Sequence, residues 1–129
     1  MKAIFLQALL VGLGGFVGAV CRYALAGAVH RGLPQTTFPV GTLVVNVLGC
    51  LLIGYLAGLA DSRQLFAPEF RLFVFIGLLG GFTTFSTFGF ETFALARDAG
   101  FGQAVVNVGL HVVLGLMMVW LAYGLASSR

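Results

Sequence analysis

The sequence predicts an all-α membrane protein with four transmembrane helices, and its composition and hydrophobic patterning lead to that class. Of its 129 residues, 60% are hydrophobic and only 9% are charged, which leaves too few polar side chains to cover a globule in water. An apolar helix needs about 20 residues to cross the hydrocarbon layer. Four stretches reach that length, so the chain is expected to form a single four-helix domain in a lipid bilayer, with spans at about 3–29, 40–60, 70–96 and 105–125.

The first predicted span carries closely spaced glycines and one guanidinium. Gly14 and Gly18 are four residues apart, and small residues at this spacing let helix backbones approach closely. Arg22 lies about 18 residues along the span, or ~27 Å. A buried guanidinium costs roughly 2.5 to 3.5 kcal/mol in a span unless it reaches an interface, water or a partner. Arg22 is therefore expected either to anchor the helix at the far interface or to line an electropositive vestibule.

The second span contains an amide within an apolar helix. Asn46 follows Gly41-Thr42 and precedes Gly49, and a polar side chain at this depth is expected to face other helices or a wet path. Two interpretations remain open: an interhelical hydrogen bond, or an NH2 group that donates to a passing ion.

The third span is the most informative part of the chain, because the run GGFTTFSTF occupies its middle at residues 80–88. Adjacent glycines weaken a helix, and non-helical backbone at membrane depth persists only where it faces protein or a water-filled path. Phenyl ring edges carry partial positive charge, so these rings, with nearby hydroxyls and Asn46, suit a small hydrated anion. The run is therefore predicted to be a permeation or binding site. Glu91, downstream, is expected to pair with a cation or to lie at the polar mouth of the span.

The fourth span carries two polar residues on one helical face. Asn107 and His111 are four residues apart, which places them side by side along a helix. Either an interhelical hydrogen-bonded pair or a track that lines a pore is consistent with this spacing.

The basic residues give little preference for one orientation in the membrane. With four spans, the two sides of the membrane carry four and three basic residues: Lys2, Arg63, Arg71 and Arg129 against Arg22, Arg31 and Arg97. Orientation follows the asymmetry of Lys and Arg, so this chain is predicted to insert both ways. No basic cluster is present that would meet phosphates, so no nucleic-acid partner is expected.

The order of these features along the chain resembles the CrcB/Fluc family of fluoride channels over essentially the whole length. The motif in the third span is the most specific part of the resemblance. The matching positions are Gly15, Gly18-Ala19, Arg22-Tyr23, Gly41-Thr42-Leu43, Asn46, Gly49, the run at 80–88 and Glu91.

The resemblance implies an antiparallel, dual-topology homodimer with two parallel fluoride pores and a third helix that breaks at mid-membrane. It also implies a structural sodium ion (Na+) at the dimer centre, held by the backbone carbonyls of Gly80 and Thr83 from both copies. Hard oxygen ligands suit such a cation. No organic cofactor is expected.

The same resemblance implies roles for individual side chains. The paired pore phenylalanines of the family correspond to Phe85 and Phe88, and Ser86 and Thr87 are expected to lie between the two rings as hydroxyl donors. The pore asparagine corresponds to Asn46, and the vestibule is assigned to Arg22 and Glu91.

The fourth span departs from the family pattern. Family members commonly carry a Tyr and a Ser four residues apart in the last helix, where this chain has Asn107 and His111. Both can donate hydrogen bonds, so an anion track remains possible there. Because histidine titrates near neutral pH, pH-dependent conduction is a hypothesis.

The function expected from this resemblance is passive, fluoride-selective export from the cytoplasm across a bacterial plasma membrane. Such export would protect the cell against fluoride toxicity, and the protein is expected not to be an enzyme. One alternative is a small dual-topology, proton-coupled multidrug exporter. Proton coupling needs an acidic residue inside the bundle, and Glu91 is the only candidate. Another alternative is a membrane scaffold whose glycines serve only assembly.

Overall fold

A computed structural model describes residues 2–63 and 66–128, and within these ranges every regular element is helical. Four helical stretches are long and apolar enough to cross a membrane, which confirms the predicted all-helical, four-span class for the described residues. Arg129, counted above for orientation, lies outside them. The elements are α1 (Lys2–Gly32), α2 (Val40–Arg63), α3 (Pro68–Arg71), a π-helical segment (Leu72–Leu78), α4 (Leu79–Phe82), α5 (Phe85–Asp98) and α6 (Phe101–Ser127).

The third span, from α3 to α5, is interrupted in its middle, in keeping with the prediction. Helix α4 ends at Phe82, and the next two residues are extended, with φ/ψ of −82°/158° at Thr83 and −150°/115° at Thr84. Helix α5 then begins at Phe85, where the Thr84 side chain accepts a hydrogen bond from the Thr87 N–H as an N-cap. The span therefore consists of two helical arms joined by a two-residue extended linker, here called the break.

Helix α1 packs against the first arm of the third span through backbone-to-backbone contact at glycines. Gly14 and Gly18 are the buried residues of α1. A Cβ at Gly14 would collide with the Phe73 carbonyl oxygen, and a Cβ at Gly18 would collide with the Leu78 carbonyl oxygen. The predicted role of this glycine pair in close helix packing is confirmed.

Helix α2 packs along α6 by the same means. A Cβ built on Gly54 would lie 2.5 Å from the Val119 carbonyl oxygen, and one on Gly58 would lie 2.7 Å from the Tyr123 carbonyl oxygen. Large apolar side chains, in contrast, are exposed on the outside of the bundle, as at Trp120. This pattern suits a bundle whose solvent is lipid, where small residues form helix contacts and bulky ones face hydrocarbon.

Candidate functional site

Two recesses in the bundle meet at the break in the third span. The first, here called the polar cavity, has a volume of about 520 Å³, and its polar lining includes Arg22, Thr42, Thr84, Thr87 and Glu91. The second, here called the aromatic groove, has a volume of about 440 Å³, and its lining includes Asn46, Gly80, Thr83, Thr84, Phe85, Phe88 and His111. Thr84 lines both recesses, so the break forms part of the wall between them.

The polar cavity brings together the two residues assigned to a vestibule from the sequence. The Thr42 hydroxyl donates to Glu91 Oε1 at 2.8 Å, while Glu91 Oε2 and Arg22 Nε are buried and have no hydrogen-bond partner among the described residues. Burying such groups unpaired is costly. Arg22 and Glu91 thus retain polar atoms for water or an ion in the cavity.

Asn46 holds the break by both ends of its amide. Its Nδ2 donates to the Thr84 carbonyl oxygen at 3.1 Å, and its Oδ1 accepts from the Thr84 N–H at 2.9 Å. This is the interhelical hydrogen bond that the sequence left open as one of two roles. An amide nitrogen carries two hydrogens, so the second N–H of Nδ2 is still available to a ligand in the aromatic groove.

The break releases backbone carbonyls from their helical partners, among them those of Gly80 and Thr83. In a continuous helix the Thr84 N–H would donate to Gly80, but here it donates to Asn46 Oδ1. The Thr87 N–H would donate to Thr83, but here it donates to the Thr84 hydroxyl at 3.3 Å. Carbonyl oxygens are hard ligands for small cations, and the carboxyl end of a helical arm carries partial negative charge. The two carbonyls assigned to sodium from the sequence therefore fit that ion chemically.

The two pore phenylalanines predicted from the sequence lie in contact along the groove. The ring centroids of Phe85 and Phe88 are 5.6 Å apart, and Phe85 is 83% exposed in the single chain. Thr87, one of the two hydroxyl residues between them in sequence, lines the polar cavity instead and accepts a hydrogen bond from the Thr84 hydroxyl at 3.0 Å. The Ser86 hydroxyl lies 3.5 Å from that of Thr84.

The two polar residues of the fourth span have different surroundings. Asn107 is fully buried, and its Nδ2 donates to the Thr92 hydroxyl at 2.8 Å, which donates in turn to the Phe88 carbonyl at 2.7 Å. Asn107 thus braces α5 against α6. His111 lines the aromatic groove, with its ring centroid 4.3 Å from that of Phe88.

Three threonines with evident structural roles at this site were not assigned any from the sequence. Thr42 orients Glu91, Thr84 caps α5 and bonds Asn46, and Thr92 receives Asn107. Each is a hydroxyl inside an apolar span, which marks it as a candidate, but the interhelical partners lie 15 to 49 residues away in the chain. Such pairings become visible only in the folded bundle.

Fold and site together define a small multi-pass membrane protein whose bundle opens at an interrupted third span. The family model described as CrcB-like protein, Camphor Resistance (CrcB), matches residues 9–123. The chain belongs to this CrcB family.

Curated relatives match the chain over most of their length and of its own. A protein of Methylobacillus flagellatus is 44% identical over 119 residues, which are 92% of this chain and 93% of the relative. A protein of Geobacter sulfurreducens is 48% identical over 112 residues, which are 87% of this chain and 90% of the relative. A protein of Opitutus terrae is 47% identical over 117 residues, which cover 89% of this chain and 88% of the relative. Each of these relatives is named as a fluoride-specific ion channel, FluC.

Proposed function

We propose that this chain is a fluoride-specific ion channel and not an enzyme. The observation that carries the proposal is the break in the third span, which exposes backbone, hydroxyls and a pair of phenyl rings beside an open groove in an apolar bundle. Irregular backbone at membrane depth is tolerated where it lines a cavity or is buried in protein. The names of the relatives, fluoride-specific ion channel, agree with this chemistry.

The anion route runs along the aromatic groove. The amino-terminal end of α5 at Phe85 carries partial positive charge from its unpaired N–H groups, and the free N–H of Asn46 donates from α2. The ring edges of Phe85 and Phe88 add partial positive charge without a competing hydrogen-bond acceptor. Together these groups replace the water shell of a small anion, and retention of chloride in the efflux test below is the measure of selectivity against larger halides.

A second, oppositely inserted copy of the chain completes the pathway. Phe85 is 83% exposed, and Gly80 has no atom within 4 Å of the position of an added Cβ. A pore-lining ring and the open backbone at Gly80, just before the break, would otherwise face lipid. The nearly balanced distribution of Lys and Arg supports insertion in both orientations, so the proposed assembly is an antiparallel homodimer with two pores.

A sodium ion at the centre of that dimer accounts for the released carbonyls. Gly80 and Thr83 offer two carbonyl oxygens per chain, and two copies offer four. Bound there, the ion supplies fixed positive charge that draws anions toward the dimer centre. The chain's own contribution is to keep these carbonyls free, through the hydrogen bonds that Thr84 makes with Asn46 and Thr87.

The direction of transport follows from the electrochemical gradient. A passive channel in a plasma membrane with a negative interior lets an accumulated anion leave the cytoplasm. Fluoride export of this kind protects the cell against fluoride toxicity without ATP or redox chemistry.

The decisive test is anion efflux from proteoliposomes, followed with a fluoride electrode. The parent protein is expected to release fluoride and to retain chloride, and Phe85→Ile is expected to slow fluoride release at least tenfold. Phe5→Ile is the matched control, since Phe5 is also exposed but lies near the start of α1, and it should behave like the parent. Chloride efflux comparable to fluoride efflux would contradict the proposal.

A further inference from the structure

A hydrogen bond within α6 determines which ring nitrogen of neutral His111 carries the hydrogen. Its Nδ1 lies 3.0 Å from the Asn107 carbonyl oxygen, one turn earlier in α6. A carbonyl oxygen only accepts hydrogen bonds, so Nδ1 must carry the hydrogen. Since a neutral imidazole has a single N–H, the other ring nitrogen, Nε2, is then a bare acceptor.

That bare nitrogen is buried beside the proposed anion route. Nε2 has no hydrogen-bond partner among the described residues, and His111 lines the aromatic groove together with Phe85 and Phe88. A lone pair at this position repels an anion. A proton added to Nε2 turns the same atom into a charged hydrogen-bond donor, and the Nδ1 hydrogen bond is unchanged.

We infer that His111 contacts fluoride as an imidazolium, so that this side chain favours passage of the anion at low pH and opposes it at high pH. The step is the transfer of one proton from solvent to the Nε2 lone pair. The Phe88 ring, whose centroid is 4.3 Å from that of His111 at an interplanar angle of 42°, is close enough to attract a cation. The inference rests on the proposed channel function.

Among the residues that the structure describes, no Asp, Glu, Lys or Arg lines the groove around His111. Helix α2 contributes Asn46 and Cys50 to its lining, and the third span contributes uncharged residues. Helix α6 itself contains no Asp, Glu, Lys or Arg between Phe101 and Ser127. The charged pair Arg22 and Glu91 lines the polar cavity instead. Besides Cys50, which is neutral near pH 7, His111 is thus the titratable group facing this groove.

The flux experiment compares pH profiles in proteoliposomes between about pH 8 and pH 6, a window that spans the ordinary histidine pKa of about 6.5. Protein-free vesicles correct for leakage of hydrogen fluoride. Fluoride flux through the parent is expected to rise several-fold as pH falls, whereas His111→Gln should give a flat profile. His30→Gln is the control, since His30 is the other histidine of the sequence and is exposed, and it should retain the parent profile.

A second measurement does not depend on transport. Solid-state NMR of the His30→Gln protein, labelled with ¹⁵N-histidine in lipid vesicles at about pH 8, should show a protonated Nδ1 and a bare Nε2. A proton on Nε2 in the neutral ring, or equal pH profiles for the parent and His111→Gln, would overturn the inference. Absence of fluoride flux through the parent at every pH would instead contradict the proposed function itself.

Discussion

The side chain of Asn46 alone provides hydrogen-bond partners for the backbone N–H and C=O of Thr84, the residue whose extended backbone separates the two arms of the third span. Unpaired polar groups in a bilayer core cost several kcal/mol each, so this single side chain makes the interruption stable. The break is therefore secured from α2 by Asn46, in addition to the Thr84 cap within the third span.

Replacing Asn46 with Leu is expected to destabilise the folded protein. Two groups of Thr84 lose the partner that Asn46 provides, and each unpaired buried group costs about 1–3 kcal/mol, so the free energy of unfolding should fall by roughly 2 to 6 kcal/mol. Denaturant titration in detergent micelles measures the change. Leu48→Val, on the same helix and exposed, is the control and should cost well under half as much.

Glu91 separates the channel from the proton-coupled exporter considered above. An exporter needs this carboxylate to exchange protons, whereas in a passive channel it accepts from Thr42 and lines the polar cavity without exchanging protons. Glu91→Gln is therefore expected to keep passive fluoride efflux within about tenfold of the parent. Neither the parent nor the variant is expected to show proton-driven uptake of organic cations. Proton-driven cation uptake by the parent that is lost in Glu91→Gln would favour the exporter.

At the scale of elements, the position of the break depends on how closely α1 approaches the first arm of the third span. Gly14 and Gly18 allow backbone contact with the π-helical segment and α4, and the contact is reciprocal, since a Cβ at Gly77 would lie 2.7 Å from the Val11 carbonyl oxygen. Such a contact holds the first arm in one register along α1. The carbonyls at its end are thereby fixed in place.

Gly18→Ala is expected to disrupt this contact, because its Cβ meets the Leu78 carbonyl and has no free space. Overpacking of this kind costs about 1–3 kcal/mol. Gly12→Ala is the matched control in the same helix, since no atom lies within 4 Å of its Cβ, and it should be neutral or slightly stabilising. Thermal unfolding followed by size-exclusion chromatography compares the two, and equal stabilities would contradict the packing argument.

The sequence predicted the elements and the interruption because these depend on local composition. Apolar length fixes the spans, and the glycine and hydroxyl run at 80–88 locates the break. It did not predict that Thr87 would face the polar cavity while Phe85 and Phe88 face the groove, since that division depends on where α5 begins and on the Thr84 cap. Nor did it separate Asn107 from His111, because the partner of Asn107, Thr92, comes from another helix.

At the scale of the whole molecule, the proposed antiparallel dimer requires that the chain insert in both orientations. Carboxyl-terminal reporter fusions, one active only in the cytoplasm and one only outside it, are both expected to give signal in cells. Three lysines added at the carboxyl terminus should bias insertion to one orientation and lower fluoride efflux from cells by more than tenfold. Co-expression with a variant biased the other way should restore efflux, and failure to restore it would argue against antiparallel assembly.

Sodium dependence tests the centre of that assembly. The carbonyls of Gly80 and Thr83 are expected to hold the ion, so replacing sodium by a bulky organic cation during purification and assay should reduce fluoride flux. Adding sodium back should restore it. Flux that is unchanged after exhaustive sodium removal would exclude a sodium ion as a required part of the pathway.

The two extended residues at 83–84 separate two helix ends of opposite partial charge. Carbonyl oxygens end the first arm, and backbone N–H groups begin the second. A mutation that straightened the segment into regular helix is expected to remove both the proposed cation site and the proposed entrance for an anion. A substitution at 83–84 that alters cation binding is therefore expected to alter anion binding as well.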